Sequence, residues 1–138
     1  MQLLGEMTWL LLQSPVHQEY RLSALEDRFL HALELQQFQI FYDSNGPIGL
    51  VTWAWISEDW HQQLLEADQW LPVGQWQSGS FLWFMDFIAP FGHCAQLRRE
   101  LGNLFVDYDQ AWCRRVDPQT GQTRLFRHHR GYRPRLLS

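Results

Sequence analysis

The run Phe81-Leu82-Trp83-Phe84-Met85-Asp86-Phe87-Ile88-Ala89-Pro90-Phe91-Gly92 constrains this chain more than any other segment. Apolar and aromatic side chains fill its first part, except at Asp86, and the run reads as a buried strand. An ionised carboxylate in such surroundings is costly unless a charge or hydrogen-bond donor meets it. Asp86 therefore needs a partner, and the best candidate lies far upstream, in Ser14-Pro15-Val16-His17. A buried acid with a distant histidine suggests a catalytic pair.

Apolar residues at helical spacing over 3–13 predict a first helix, which Ser14 and Pro15 end. Ser23-Ala24-Leu25-Glu26 has the form of a capping box, followed by a stripe of Leu25, Phe29, Leu30 and Leu33. Gln39 to Tyr42 and Ile48 to Ile56 read as two strands of a hairpin, turned at Asn45-Gly46-Pro47. Ser57 is placed to cap a helix running to about Ala67, with Glu58 and Asp59 in its first turn. After a connection over 70–80 and the Asp86 strand, a helix is expected from His93 to Phe105. Ala111 to Val116 is a further strand, Pro118 to Gly121 a turn, and Arg124 to Arg127 a last short strand. This order predicts an α/β (α+β) fold, a mainly antiparallel mixed sheet flanked by helices. The whole chain, 1–138, reads as one domain.

Charge is unevenly spread. Residues 1–97 hold two arginines against eleven acids, whereas residues 98–138 hold nine arginines against four acids. The basic end is either a solvated surface or a docking face for an acidic partner or a phosphate. The acidic first two thirds argue against nucleic acid. The chain has no lysine, which fits arginine bias in composition and also fits an enzyme that must not modify itself. Cys94 and Cys113 lack metal-type spacing and read as buried thiols. The run Leu10-Leu11-Leu12 is too short to span a bilayer, and no signal-peptide pattern precedes it, so a cytoplasmic protein is expected.

Taken together, Leu4-Gly5-Glu6-Met7-Thr8-Trp9-Leu10, Ser14-Pro15-Val16-His17, Ser78-Gly79, the Trp83 to Gly92 run and Arg115-Val116-Asp117-Pro118 form an ordered series. In this order the chain resembles the toxin-activating lysine acyltransferases, the hemolysin-activating family, over about residues 4–121. The resemblance implies a GNAT-like fold, a homodimer and transfer of a fatty acyl group from acyl carrier protein to internal lysines of an RTX-type protoxin. It implies no permanently bound cofactor; the phosphopantetheine thioester of acyl carrier protein is the donor. It aligns a catalytic histidine with His17, a catalytic aspartate with Asp86 and a functionally important serine with Ser14. The end Phe126-Arg127-His128-His129-Arg130-Gly131-Tyr132 departs from the family pattern.

The chemistry fits these residue types. A lysine amine, with a pKa of about 10.4, is mostly protonated near neutrality, and a histidine of pKa near 6.5 can take its proton as attack proceeds. That is the role expected of His17. Asp86 either holds one imidazole nitrogen, as the acid of a triad does, or contacts the incoming ammonium. A second mechanism makes His17 the nucleophile that carries the acyl group. Ser14 either hydrogen-bonds the histidine or the thioester, or only ends the first helix.

For the donor, Gly92 and His93 at the start of a helix offer backbone N–H groups to a phosphate. Arg98 and Arg99 on that helix, with Arg114 and Arg115 on the next strand, are candidate contacts for the acidic carrier protein. Trp53, Trp55, Trp83 and Phe87 line an acyl groove or else belong to the core. No metal site is expected, because His31, His61, His93, His128 and His129 lack ligand spacing. Two other readings stand beside the first. One is a CoA-dependent N-acyltransferase of another amine; the other is a catalytically silent binding partner of a secreted protein.

Overall fold

The computed structural model describes residues 2–15, 17–108, 110–117, 119–129 and 135–137. Val16, Pro118 and residues 130–132, which entered the sequence motifs above, lie outside the described residues.

Helix α1 spans Gln2–Gln13 and turns Met7, Leu10 and Leu11 inward, at the one-turn spacing that keeps side chains on one face. A 3-10 turn, His17–Glu19, follows. Then α2 (Leu22–Ala24), a π-helical stretch (Leu25–Leu30) and α3 (His31–Leu35) run on without a break. The expected capping box at Ser23 is not formed. Arg21 is the residue before the helix, extended at φ −67° and ψ 154°, and no side chain caps it. Helical geometry begins at Leu22, so Ser23 already sits inside the first turn. The helix ends at Gln36, whose left-handed φ of 58° stops it.

Strands β1 (Phe38–Asp43) and β2 (Gly46–Ile56) form the expected hairpin. Ser57 caps α4 (Glu58–Glu66) by accepting the Trp60 N–H at 3.3 Å. The connection to β3 (Phe81–Ile88) is fastened by Ser78, whose Oγ accepts from Ser57 N and donates to Gln75 O. Gly79 follows with no room for a side chain, since a β-carbon there would lie 2.4 Å from the Ile56 oxygen. The Ser78-Gly79 motif is thus explained by chain packing. Helix α5 (Cys94–Leu104), β4 (Gln110–Val116), β5 (Thr123–His129) and β6 (Arg135–Leu136) complete the order. Strand β6 was not expected, because two residues carry no readable alternation.

Among the described residues six strands lie in the order β1-β2-β3-β4-β5-β6, antiparallel except for the parallel pair β3–β4. The expected α/β (α+β) class, a mainly antiparallel mixed sheet flanked by helices, is what the chain forms. Helices α1 to α4 cover one face, where Phe29, Leu50, Ile88, Ala54 and Leu64 are buried. Helix α5 covers the other, with Leu97 and Leu101 packed over Val51, Trp53 and Phe84. At Gly49 a β-carbon would lie 2.5 Å from Leu97 Cδ2, so the missing side chain lets α5 approach the sheet.

Two features of β3 position the site. Against β2, Thr52 faces Asp86 but the next residue, Trp53, faces Phe84, which leaves Met85 as an inserted bulge residue. Side chains alternate faces along a strand, so one inserted residue flips everything beyond it. Phe84 packs toward α5; without the bulge Asp86 would do the same. With it, Asp86 turns to the face of α1 to α4 and Phe87 turns toward α5. Against β4, only Trp83↔Trp112 and Phe84↔Cys113 face each other. Beyond these pairs the two parallel strands part toward their carboxyl ends, where open sheets commonly admit ligands.

Candidate active site

A cleft of about 270 Å³ occupies the gap between the parting strands. Ser14, Pro15, His17 and Tyr20 line it from the segment after α1, Met85 to Pro90 from β3, and Arg114 to Val116 from β4. It contains Ser14, His17, Asp86, Phe87, Arg114 and Arg115 of the residues anticipated above. Gly92, His93, Arg98 and Arg99 do not line it. Gly92 and Arg99 are exposed, while His93 and Arg98 are half-buried.

Asp86 is almost inaccessible, with its side chain 1% exposed. Its closest charged partner is Arg28, a residue the sequence did not single out. Arg28 Nε donates to Oδ2 at 2.8 Å, and a terminal guanidinium nitrogen donates to the Met85 oxygen at 2.6 Å. The bulge therefore exposes the carbonyl that Arg28 takes. The other oxygen, Oδ1, accepts the Tyr20 hydroxyl at 3.1 Å and lies 3.5 Å from His17 Nε2. The Asp86 backbone N–H donates to Thr52 Oγ1 at 3.1 Å. Burial pushes the Asp86 carboxyl upward, but Arg28 first and His17 next outweigh it and hold the carboxyl below the usual range. Tyr20 is driven the other way, mainly by burial and then by Asp86, so its hydroxyl stays a donor.

His17 is fixed from its other nitrogen. Nδ1 lies 2.7 Å from Ser14 Oγ, and the Ser14 carbonyl accepts the Gln18 N–H at 3.0 Å, which ties the 3-10 turn to the end of α1. The Tyr20 ring packs on the imidazole at 5.1 Å between centroids. Two tautomers suit this geometry: Nδ1–H donates to Ser14 Oγ and leaves a lone pair on Nε2, or Ser14 donates to Nδ1 and Nε2–H faces Oδ1 across a long 3.5 Å contact. Ser14, His17 and Asp86 thus form a line in which Nε2 and Oδ1 border one small gap. A primary ammonium arriving from the cleft beside the pair can donate to Oδ1 and give up a proton to Nε2.

The basic residues separate. Arg114 donates three hydrogen bonds to the Leu64 and Leu65 oxygens and so closes the carboxyl end of α4. Its guanidinium therefore has a structural role, while the residue still lines the cleft. Arg115, the next residue, points to the opposite face and sits over the Phe87 ring at 5.0 Å, beside the Cys94 sulfur at 3.7 Å. Of the four aromatic residues considered for an acyl groove, Phe87 alone lines the cleft. Trp53 and Trp55 pack on Phe105, and Trp83 donates its indole N–H to His61.

Cys113 is buried and its thiol is pushed up to about 12 by burial, so it is no nucleophile at neutral pH. Cys94 is only half-buried, contrary to the sequence reading. Among the described residues no group of three or more histidine, cysteine or acidic side chains is placed to hold a metal ion. None of their helices is long and apolar enough to cross a membrane.

Arg28 and Tyr20 escaped the sequence reading for a common reason. An arginine within an amphipathic helix reads as solvent-facing, and a tyrosine in a short connection carries no periodic signal.

Comparison with known proteins adds an independent line. The profile of the RTX toxin acyltransferase family matches residues 1–129. The chain is 33% identical over 108 residues to the leukotoxin-activating lysine-acyltransferase LktC of Pasteurella haemolytica-like sp. (strain 5943B), covering 78% of this chain and 65% of that protein. It is 32% identical over 130 residues to the RTX-I toxin-activating lysine-acyltransferase ApxIC of Actinobacillus pleuropneumoniae, covering 94% and 75%. It is 33% identical over 104 residues to the protein-lysine myristoyltransferase RtxC of Kingella kingae, covering 75% and 62%. The matches thus span less than two thirds of the length of the LktC and RtxC relatives.

Proposed function

This chain belongs to the RTX toxin acyltransferase family, and we propose that it transfers a fatty acyl group from a carrier-bound thioester to lysine side chains of an RTX-type protoxin. The observation that carries this reading is the single gap bordered by His17 Nε2 and Asp86 Oδ1 at the cleft between β3 and β4. The lysine ammonium approaches both atoms from the cleft, is oriented by Oδ1 and loses a proton to Nε2. The freed amine nitrogen attacks the thioester carbonyl carbon. The C–N bond forms and the C–S bond breaks; the nitrogen sheds two protons in all, the first passing through Nε2 to solvent and the second, lost as the amide forms, passing through Nε2 to the departing thiolate. When Ser14 Oγ accepts from Nδ1–H, Nε2 is free to take that proton. Direct attack is favoured over an acyl-histidine because Nε2 already faces the acid that would orient the amine.

Acyl carrier protein is the proposed donor, with Arg115 beside the phosphopantetheine path and Gly92, His93, Arg98 and Arg99 on the adjoining surface. The β3–α5–β4 unit with its parted parallel strands supports a GNAT-like arrangement. A homodimer and a cytoplasmic site of action complete the proposal.

Incubation of the purified protein with acylated carrier protein and an RTX protoxin tests it. Intact-mass analysis should show acyl additions on lysine that disappear with His17→Ala. Parallel reactions with acyl-CoA decide between donors. No addition from either donor, by protein shown to be folded, overturns the reading.

A further inference from the structure

Two irregularities of the backbone, on elements far apart in sequence, meet at one contact. On the sheet, the bulge at Met85 sets Asp86 on the helical face, opposite to Phe84, and frees the Met85 carbonyl. On the helical side, Leu25–Leu30 is π-wound, a conformation that is rare and recurs at functional sites. Arg28 lies within that stretch, directly before the fully buried Phe29. Its guanidinium spans both irregularities, binding Asp86 Oδ2 at 2.8 Å and the Met85 oxygen at 2.6 Å. Trp70 covers the guanidinium from outside at 4.5 Å.

We propose that Arg28 is a positioning residue for the acid: it pins Oδ2 and the bulge carbonyl together, so that Oδ1 is the oxygen presented to His17 and the cleft. The consequence for turnover rests on the acyl-transfer reading; the pinning itself does not.

A buried carboxylate with no other cation would close onto the nearest imidazole as an ion pair and occupy Nε2. A fixed guanidinium on Oδ2 removes that pull. Asp86 stays ionised, and the 3.5 Å gap to Nε2 stays open for an incoming amine. The planar fork of arginine addresses a carboxylate and a carbonyl at once, which a lysine ammonium does only by choosing between them. The groups facing Asp86 are few. Arg28 reaches it from the π-helical stretch, His17 and Tyr20 from the segment after α1, and Thr52 from β2. Asp68, from the loop after α4, acts on Arg28 and Tyr20, and Arg114 and Arg115 share the cleft from β4.

The test uses the full chain as R28Q, Arg28→Lys and the double variant R28Q/D86N. Carbon-13 NMR follows the Asp86 carboxyl, urea unfolding follows stability, and acyl transfer gives kcat and KM. In R28Q the Asp86 titration midpoint should rise by about one pH unit or more, a tenfold change in its proton affinity. The double variant should be more stable than R28Q, because it removes the unpaired buried charge. Acyl transfer by R28Q should lose about tenfold or more in kcat with KM for the donor nearly unchanged. Arg28→Lys should restore part of that loss.

If R28Q alone does not fold, folding of the double variant supports the proposal and failure of both overturns it. An unmoved Asp86 midpoint, a double variant no more stable than R28Q, or a normal kcat in R28Q also overturns it. Should the unaltered protein transfer no acyl group at all, the enzymatic reading fails, while the titration and unfolding results still decide the role of Arg28.

Discussion

Ser14 Oγ lies 2.7 Å from Nδ1 of His17, a hydrogen bond made within one turn of chain after α1. The serine thereby fixes the ring from behind, while the working nitrogen faces the buried acid. The two side chains are accordingly unequal in any reaction at the cleft.

His17→Ala should lower acyl transfer by about two orders of magnitude or more, the scale of a lost general base. Ser14→Ala removes one hydrogen bond worth about 1 kcal/mol and should cost about fivefold in kcat. Steady-state transfer, with circular dichroism to verify folding, separates these two outcomes. Equal losses would show that Ser14 takes part in the chemistry itself.

Stability should fall on mild acidification because of His128. Burial above all, then Arg115 and Arg98, push this imidazole down to about 4, against about 6.5 in an unfolded chain. The unfolded state therefore binds more protons between these values. Its neutral form contributes stability that is complete above about 6.5 and is lost as pH falls toward 4. Urea midpoints measured across that range should decline, and His128→Gln should flatten the decline. Asp86 adds a separate loss at lower pH, as its depressed carboxyl is finally protonated.

Arg115→Gln should raise KM for acylated carrier protein by about tenfold with kcat nearly unchanged, as expected when a contact is equal in ground and transition states. The residue sits over Phe87 at the cleft and closes no helix, unlike Arg114. Arg114→Gln should show the opposite pattern, with reduced stability by urea unfolding and little change in KM.

Gly79→Ala should destabilise the protein by about 1–3 kcal/mol, the usual range for forcing atoms into filled space. The added β-carbon would lie 2.4 Å from the Ile56 oxygen and 2.6 Å from Ser57 Cα, both backbone atoms that cannot step aside. Urea unfolding reads this directly.

Much of the architecture was legible because local chemistry and tertiary demand agree. The apolar run of β3, the Ser57 cap of α4 and the Asn45-Gly46 hairpin each say in sequence what the fold then uses. The meeting of Ser14, His17 and Asp86 was anticipated from the cost of a buried acid and from family resemblance. The partner that carries most of that cost was not. Arg28 is turned inward by a π-wound stretch whose phase departs from the 3.6-residue pattern used to read helices. Met85 is equally silent, since an inserted apolar residue in an apolar run leaves no mark.

That silent insertion has a geometric corollary. Because the bulge absorbs Met85, a strand lacking it would set Phe84 and Asp86 opposite Trp53 and Thr52 in unbroken register, and the carboxylate would still face the helices. What such a strand would lack is the spare carbonyl that now receives Arg28. The extra residue is thus a mooring for the guanidinium, and its removal should loosen the acid without redirecting it.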